Sequence, residues 1–73
     1  MGILITMIEF VYVVTGIIRH FDGEITSSIV GVRKGEVDAK NLGSSWVIEK
    51  NKEIKFLGQH RQASYKLDLV EIR

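Results

Sequence analysis

The first eighteen residues constrain the fold of this chain more than any other segment does. They have the sequence MGILITMIEFVYVVTGII and carry a single charged side chain, that of Glu9. Ten of the eighteen residues are β-branched, and these stiff side chains suit a pleated strand better than a helix. A transmembrane helix needs about 20 apolar residues, and a charge at its middle would be costly in a bilayer. The segment therefore predicts a β-strand and no membrane partner.

The start of this run leaves two alternatives open. A secretory signal would have a basic beginning and a small-residue cleavage site, and this run has neither. Residues 1–6 are expected to form a leader ahead of the fold, or Met7 is the natural start. Gly16 interrupts the strand pattern and predicts a bulge or a bend.

The chain is short and has no covalent staple. It has 73 residues and no cysteine, which excludes disulfides, a thiolate metal site and a cysteine nucleophile. A single core of this size gives only marginal stability, and self-association is one remedy. We therefore expect one domain over residues 1–73 that forms a homo-oligomer. The absence of cysteine fits a reducing compartment, which predicts a cytoplasmic location.

Turn signals divide the rest of the chain into short β segments. Asp22-Gly23 lies between two β-rich runs, the strongest short-range signal of a hairpin, and pairs residues 8–20 with 24–33. Three further short strands are predicted, at residues 46–49, 53–57 and 64–72. One or two helical turns are expected near residues 36–42, with Gly43 as their cap.

These elements predict an all-β, or mainly β, fold. Five short strands separated by turns favour a small antiparallel curled sheet or a barrel resembling the SH3 or OB type. Polar turns are expected at residues 50–52 and 58–62.

No residue pattern indicates catalysis. His20 and His60 lie in predicted turns, and neither belongs to a spacing motif for a nucleophile, a phosphate loop or a metal. We therefore expect no enzyme, no catalytic residue, no metal site and no cofactor. A small enzyme that uses one of the two histidines is the least favoured alternative.

Basic and aromatic side chains alternate in the second half of the chain. Such a combination on a small β-sheet is how some modules stack nucleic acid bases and follow phosphates. The same residues also suit a small core with solvated charges around it. The candidate binding residues for nucleic acid or a nucleotide are Trp46, Lys50, Lys52, Lys55, His60, Arg61 and Tyr65.

The first strand carries apolar side chains on both faces. Phe10 and Tyr12 lie on one face, and Val11 and Val13 lie on the other. A single sheet with one short helix cannot cover both, so these four residues are the predicted interface of the homo-oligomer.

The function predicted from these features is binding. The leading hypothesis is a small non-catalytic protein that acts as a homo-oligomer and binds or occludes a partner macromolecule. The expected partner is an unidentified protein. A very small β-rich chain without Cys or Pro resembles, in its general composition, accessory or inhibitor proteins of phages and other mobile elements. The alternative is binding of nucleic acid or a nucleotide through residues 46–66.

Overall fold

A computed structural model describes residues 9–56, 58 and 61–72 of the chain. The elements within these ranges are β1 (Glu9–His20), β2 (Ile25–Arg33), α1 (Glu36–Phe56) and β3 (Arg61–Ile72). The strands form one sheet in the order β2-β1-β3, and both pairs are antiparallel. Because β2 and β3 both oppose β1, they run parallel to each other, and α1 is the crossover that joins the two outer strands.

The predicted hairpin is confirmed. The N–H of Gly23 donates to the carbonyl of His20 at 3.0 Å, and the N–H of Glu24 donates to the carboxylate of Asp22 at 3.0 Å. Gly23 has a φ of 91°, a conformation that L side chains rarely adopt. The side chain of Asp22 and the freedom of Gly23 therefore close the turn between β1 and β2.

The bulge predicted at Gly16 is wrong. The pairing of β1 with β3 runs without a shift from Glu9↔Ile72 to His20↔Arg61. The irregularity lies in the pairing with β2, where Val14 opposes Gly31 and Thr15 opposes Ile29, which leaves Val30 as an extra residue. Gly16 serves close packing instead, because a Cβ at this position would lie 2.5 Å from the indole of Trp46.

The second half of the chain differs most from the prediction. Residues 36–56 form one helix of 21 residues, so the predicted strand at 46–49, the turn at 50–52 and the strand at 53–57 are wrong up to residue 56, and residue 57 lies outside the described residues. Gly43 lies inside this helix and does not cap it. Its sheet-facing residues recur at intervals of three and four, the period of a helix: Ala39, Leu42, Gly43, Trp46, Lys50 and Ile54.

Local interactions define the two ends of α1. The N–H of Ala39 donates to the carbonyl of Gly35 at 3.0 Å, which starts the helical ladder. Acidic residues in the first turn and Lys55 in the last turn complement the helix dipole. Gly58, at a φ of 66°, donates its N–H to the carbonyl of Lys55 at 3.1 Å and ends the helix.

The helix is held against all three strands by close contacts. Trp46 lies over Gly16 of β1, Leu42 lies over Gly31 of β2, and Tyr65 of β3 packs against Gly43. Val14 and Ala39 are completely buried. Within the described ranges, four apolar side chains are at most 9% exposed, namely Val11, Val14, Ala39 and Ile54.

The fold is mainly β, as the sequence predicts, but it is an open sheet of three strands and not a five-stranded barrel. The sheet does not close because α1 occupies the chain length predicted to supply two more strands. The last predicted strand is confirmed, and it begins three residues earlier, at Arg61. No helix in the described part of the chain is both long enough and apolar enough to cross a membrane.

Candidate functional site

Strand alternation divides the sheet into two faces of different character. Gly16 faces Trp46 of the helix, so the even-numbered residues of β1 lie on the helix side and the odd-numbered residues lie on the other. The register extends this division to β2 and β3. We call the second side the open face, and it carries Glu9, Val11, Val13, Thr15, Ile17, Arg19, Ile25, Ser27, Ile29, Val32, Gln62, Ser64, Lys66, Asp68, Val70 and Ile72.

The open face exposes large apolar side chains. The helix packs on the other side of the sheet, and Val11, at 8% exposed, is the one described residue of the open face that is buried. The exposed fractions are 72% for Ile29, 59% for Ile25, 47% for Val32, 41% for Val70 and 38% for Ile72. Adjacent exposed apolar side chains on a soluble domain indicate an interaction surface.

The four predicted interface residues divide between the two faces. Val11 and Val13 lie on the open face, where Val11 opposes Val70 and Val13 opposes Val32. Phe10 and Tyr12 lie on the helix side. Ile29, Val32, Val70 and Ile72 were not among the predicted interface residues. Val70 and Ile72 have the period-2 spacing of one strand face, whereas the irregularity at Val30 sets Ile29 and Val32 three residues apart and hides their common face in the sequence.

The aromatic members of the predicted binding set pack α1 on the sheet. Trp46 contacts Gly16, and Tyr65 contacts Gly43. The ammonium of Lys50 lies 5.9 Å from the ring centroid of Trp46 and 3.6 Å from a carboxylate oxygen of Glu53. Trp46 is half-buried, so its ring does not offer two free faces on which bases could stack.

The basic members of that set are distributed over α1 and β3. Lys52 and Lys55 are exposed on α1, and Arg61 begins β3. His60 lies outside the described residues. Arg61 is the member that the fold places in a concave site.

That site is a cleft of about 490 Å³ where β1 ends and β3 begins. Its polar lining consists of Arg19, Asn51, Arg61, Gln62 and Ser64. The ion pairs between described side chains are Lys40–Glu36, Lys50–Glu53 and Lys66–Asp68, and they include neither arginine. Two guanidinium groups with amide and hydroxyl donors, and no carboxylate among the described lining residues, suit an anion. We call this the arginine cleft.

Two further titratable side chains, those of His20 and Lys40, make local contacts. A ring nitrogen of His20 lies 2.9 Å from the hydroxyl oxygen of Thr26 across the hairpin. The described residues contain no group of three His, Asp or Glu side chains that could hold a metal ion. Lys40 lies 3.0 Å from Glu36, and the hydrogen bond to this carboxylate raises the pKa of Lys40.

Comparisons with known proteins add no residue to these surfaces. No family model, no curated protein and no solved structure matches the chain. The candidate sites are therefore the open face and the arginine cleft, both defined by the chain's own register and packing.

Proposed function

We propose that this chain is a small non-catalytic binding protein that acts as a homo-oligomer, and that its copies join through the open face. The observation that carries the proposal is that β1 is apolar on both sides while α1 covers only one. Ile29 remains 72% exposed on the other side, beside Val32 at 47%.

The size of the open face supports an interface. Strands of up to twelve residues form it, in a sheet of three. At about 3.3 Å per residue and about 4.8 Å between strands, the face measures about 14 Å by 40 Å, or roughly 570 Å² before side-chain relief is added. A standard stable interface buries about 800 Å² per partner, so the two areas are of the same order.

The charges on the open face favour a second copy over an unrelated partner. The face carries two acids and two bases, Glu9 and Asp68 with Arg19 and Lys66. A surface with equal numbers of both signs can complement itself, as a two-fold interface requires. The resulting dimer keeps both α1 helices exposed, and these surfaces bind or occlude the partner macromolecule.

Sedimentation of the wild type with two matched variants tests the proposal. Ile29→Lys places a charge on the open face, and Val37→Lys places the same charge on the outer side of α1. The two residues are both β-branched and equally exposed, at 72% and 71%. We expect a dimer for the wild type and for Val37→Lys, and a monomer or unfolded chain for Ile29→Lys.

Two outcomes would contradict the proposal. One is a wild type that stays folded and monomeric from low micromolar to the highest soluble concentration, which would assign the open face to a different occupant. The other is equal dissociation of the two lysine variants, which would remove the open face from the interface.

Binding of a polyanion in the arginine cleft is a second candidate function. It is favoured by a concave site whose lining includes Arg19 of the open face, Arg61 of the helix side and two amide side chains. We expect a labelled oligonucleotide to bind, with an affinity that falls steeply as salt is raised because counterions are released.

Arg61→Glu tests this function with Lys34→Glu as the matched control, since the second variant makes the same charge change at the exposed end of β2. Arg61→Glu should abolish binding, whereas Lys34→Glu should retain most of it. Wild type that ignores heparin, oligonucleotides and nucleotides at low salt, or equal losses for both variants, would contradict a site in the cleft.

A further inference from the structure

The four charged side chains of the open face are arranged antisymmetrically about one level of the sheet, where a level is a row of residues that lie opposite each other across the strands. Val14 of β1 opposes Leu67 of β3, and this pair marks the level. Glu9 lies five residues before Val14, and Arg19 lies five residues after it. On β3, Lys66 and Asp68 lie one residue to either side of Leu67. Each acid is thus matched by a base at the same distance on the other side of the level.

We infer that the partner seated on the open face is a second copy of this chain in antiparallel orientation, related by a two-fold axis that crosses the strands at the level of Val14. This inference rests on the proposed homo-oligomer and specifies its geometry. Glu9 then faces the partner's Arg19, and Lys66 faces the partner's Asp68. Lys66 and Asp68 of one chain are 3.6 Å apart, so the two copies close a ring of four alternating charges.

The same axis brings apolar side chains together. On β1, Ile17 faces the partner's Val11, which is already buried within its own chain at 8% exposed. On β2, Ile29 and Val32 oppose Thr15 and Val13, which lie on either side of the level, so Ile29 faces the partner's Val32. On β3, Val70 faces the partner's Ser64, a large side chain against a small one.

A two-fold axis parallel to the strands gives poorer contacts. It sets Glu9 against the partner's Glu9 and Arg19 against the partner's Arg19, and like charges repel. It also lays β2 over the partner's β3, which puts Lys66 against Ile29 and Asp68 against Val32, so neither charge gains an ionic partner from the second copy. The charge pattern therefore selects the antiparallel orientation.

The charges also select the position of the axis. A shift of the axis to the level of Val13 sets Asp68 against the partner's Asp68, and a shift to the level of Thr15 sets Lys66 against the partner's Lys66. Aligned sheets pack with their strands within about 30° of each other, so facing residues meet best near the centre of rotation. Lys66 and Asp68 lie near the two-fold axis, so they should contribute more to the stability of the dimer than Glu9 and Arg19 do.

Charge exchange at Lys66 and Asp68 tests the position of the axis. Asp68→Lys alone puts four like charges into the ring and should raise the dimer dissociation constant by about tenfold or more, a typical effect for a close charge pair. The double variant Lys66→Asp, Asp68→Lys restores alternation and should return the constant to near the wild-type value. Glu49→Lys on exposed α1 is the control for the charge change and should leave the constant unchanged.

A distance measurement tests the orientation. The chain has no cysteine, so Phe21→Cys, at an 87% exposed position of the hairpin turn, gives a single site for a spin label. From the rise of about 3.3 Å per residue, the labels of an antiparallel dimer lie about 50 Å apart, against about 10–20 Å for an axis along the strands.

The outcomes separate this inference from the proposed function. A monomeric wild type overturns the homo-oligomer itself. A dimer with a short label distance, or one in which the double exchange is no better than Asp68→Lys alone, overturns only the antiparallel register. A dimer with the long distance and a restored double variant supports both.

Discussion

Gly16→Ala tests directly how α1 lies on the sheet. A Cβ at this position would lie 2.5 Å from Cζ2 and 2.6 Å from Cη2 of Trp46. Both atoms belong to a rigid ring, so the indole and the helix that carries it must move together. Gly31→Ala is the matched control, because the one close contact of the new methyl is with the terminal Cδ2 of Leu42, at 2.8 Å, which a rotamer change can remove, while Arg33 lies at an ordinary 3.5 Å.

The size of the effect follows from two opposing contributions. Overpacking a fitted contact destabilises by about 1–3 kcal/mol. Replacing glycine in a strand by alanine returns roughly 0.5–1 kcal/mol, mainly because the unfolded chain loses freedom. We therefore expect a net loss of about 1–2 kcal/mol for Gly16→Ala and a value near zero for Gly31→Ala. At about 4–8 °C per kcal/mol for a domain of this size, the melting temperature should fall by about 5–15 °C.

The change in melting temperature is measured by circular dichroism during thermal unfolding, both in the otherwise wild-type protein and in the Trp46→Leu variant. The smaller leucine frees the space above Gly16, so Gly16→Ala should be nearly neutral in the second background. The coupling between the two positions should reach about 1 kcal/mol. A Gly16→Ala protein as stable as the wild type in both backgrounds would show that the indole does not lie on Gly16, and the seating of α1 would be wrong.

Two further predictions concern other glycines and are measured in the same way. Gly23→Val forces a β-branched residue to a φ of 91° and should cost about 1–3 kcal/mol, whereas Lys52→Ala on exposed α1 should stay within about 0.5 kcal/mol; equal melting temperatures for these two would contradict the hairpin. Gly43→Ala should lower the melting temperature even though alanine gains about 1 kcal/mol of helix propensity, because the methyl meets the ring of Tyr65; a rise would mean that helix and β3 are not in close contact.

The hairpin and the faces of the strands were predictable from the sequence because local rules determine them. Asp22-Gly23 defines its turn through one side-chain hydrogen bond and one positive φ. Alternation assigned Val11 and Val13 to one face of β1, and Phe10 and Tyr12 to the other. These predictions needed only neighbours in sequence.

The helix was not predictable in the same way, since its unusual residues have tertiary reasons. Gly43 resembles a helix end in the sequence, but it is there because Tyr65 approaches the backbone. Lys50 interrupts the apolar period, but it lies over the ring of Trp46. Val47 and Ile48 extend the apolar run and imitate a strand. The arginine cleft was missed for a related reason, because Arg19 and Asn51 come from separate elements.

The edges of the sheet explain why association should use the open face and not extend the sheet. An open sheet has two edge strands, each with unpaired backbone groups that could pair with another copy. Along the edge strand β3, the side chains of Lys66 and Asp68 are charged and about half exposed. The other edge strand, β2, contains the irregularity at Val30, and a bulge twists an edge away from regular pairing. Both features disfavour edge-to-edge pairing, whereas Ile29 and Val32 on the open face have no such protection. In the dimer that we propose, the order of Lys66 and Asp68 sets how two open faces meet, so the pair of side chains that protects the β3 edge would also select the register of the dimer.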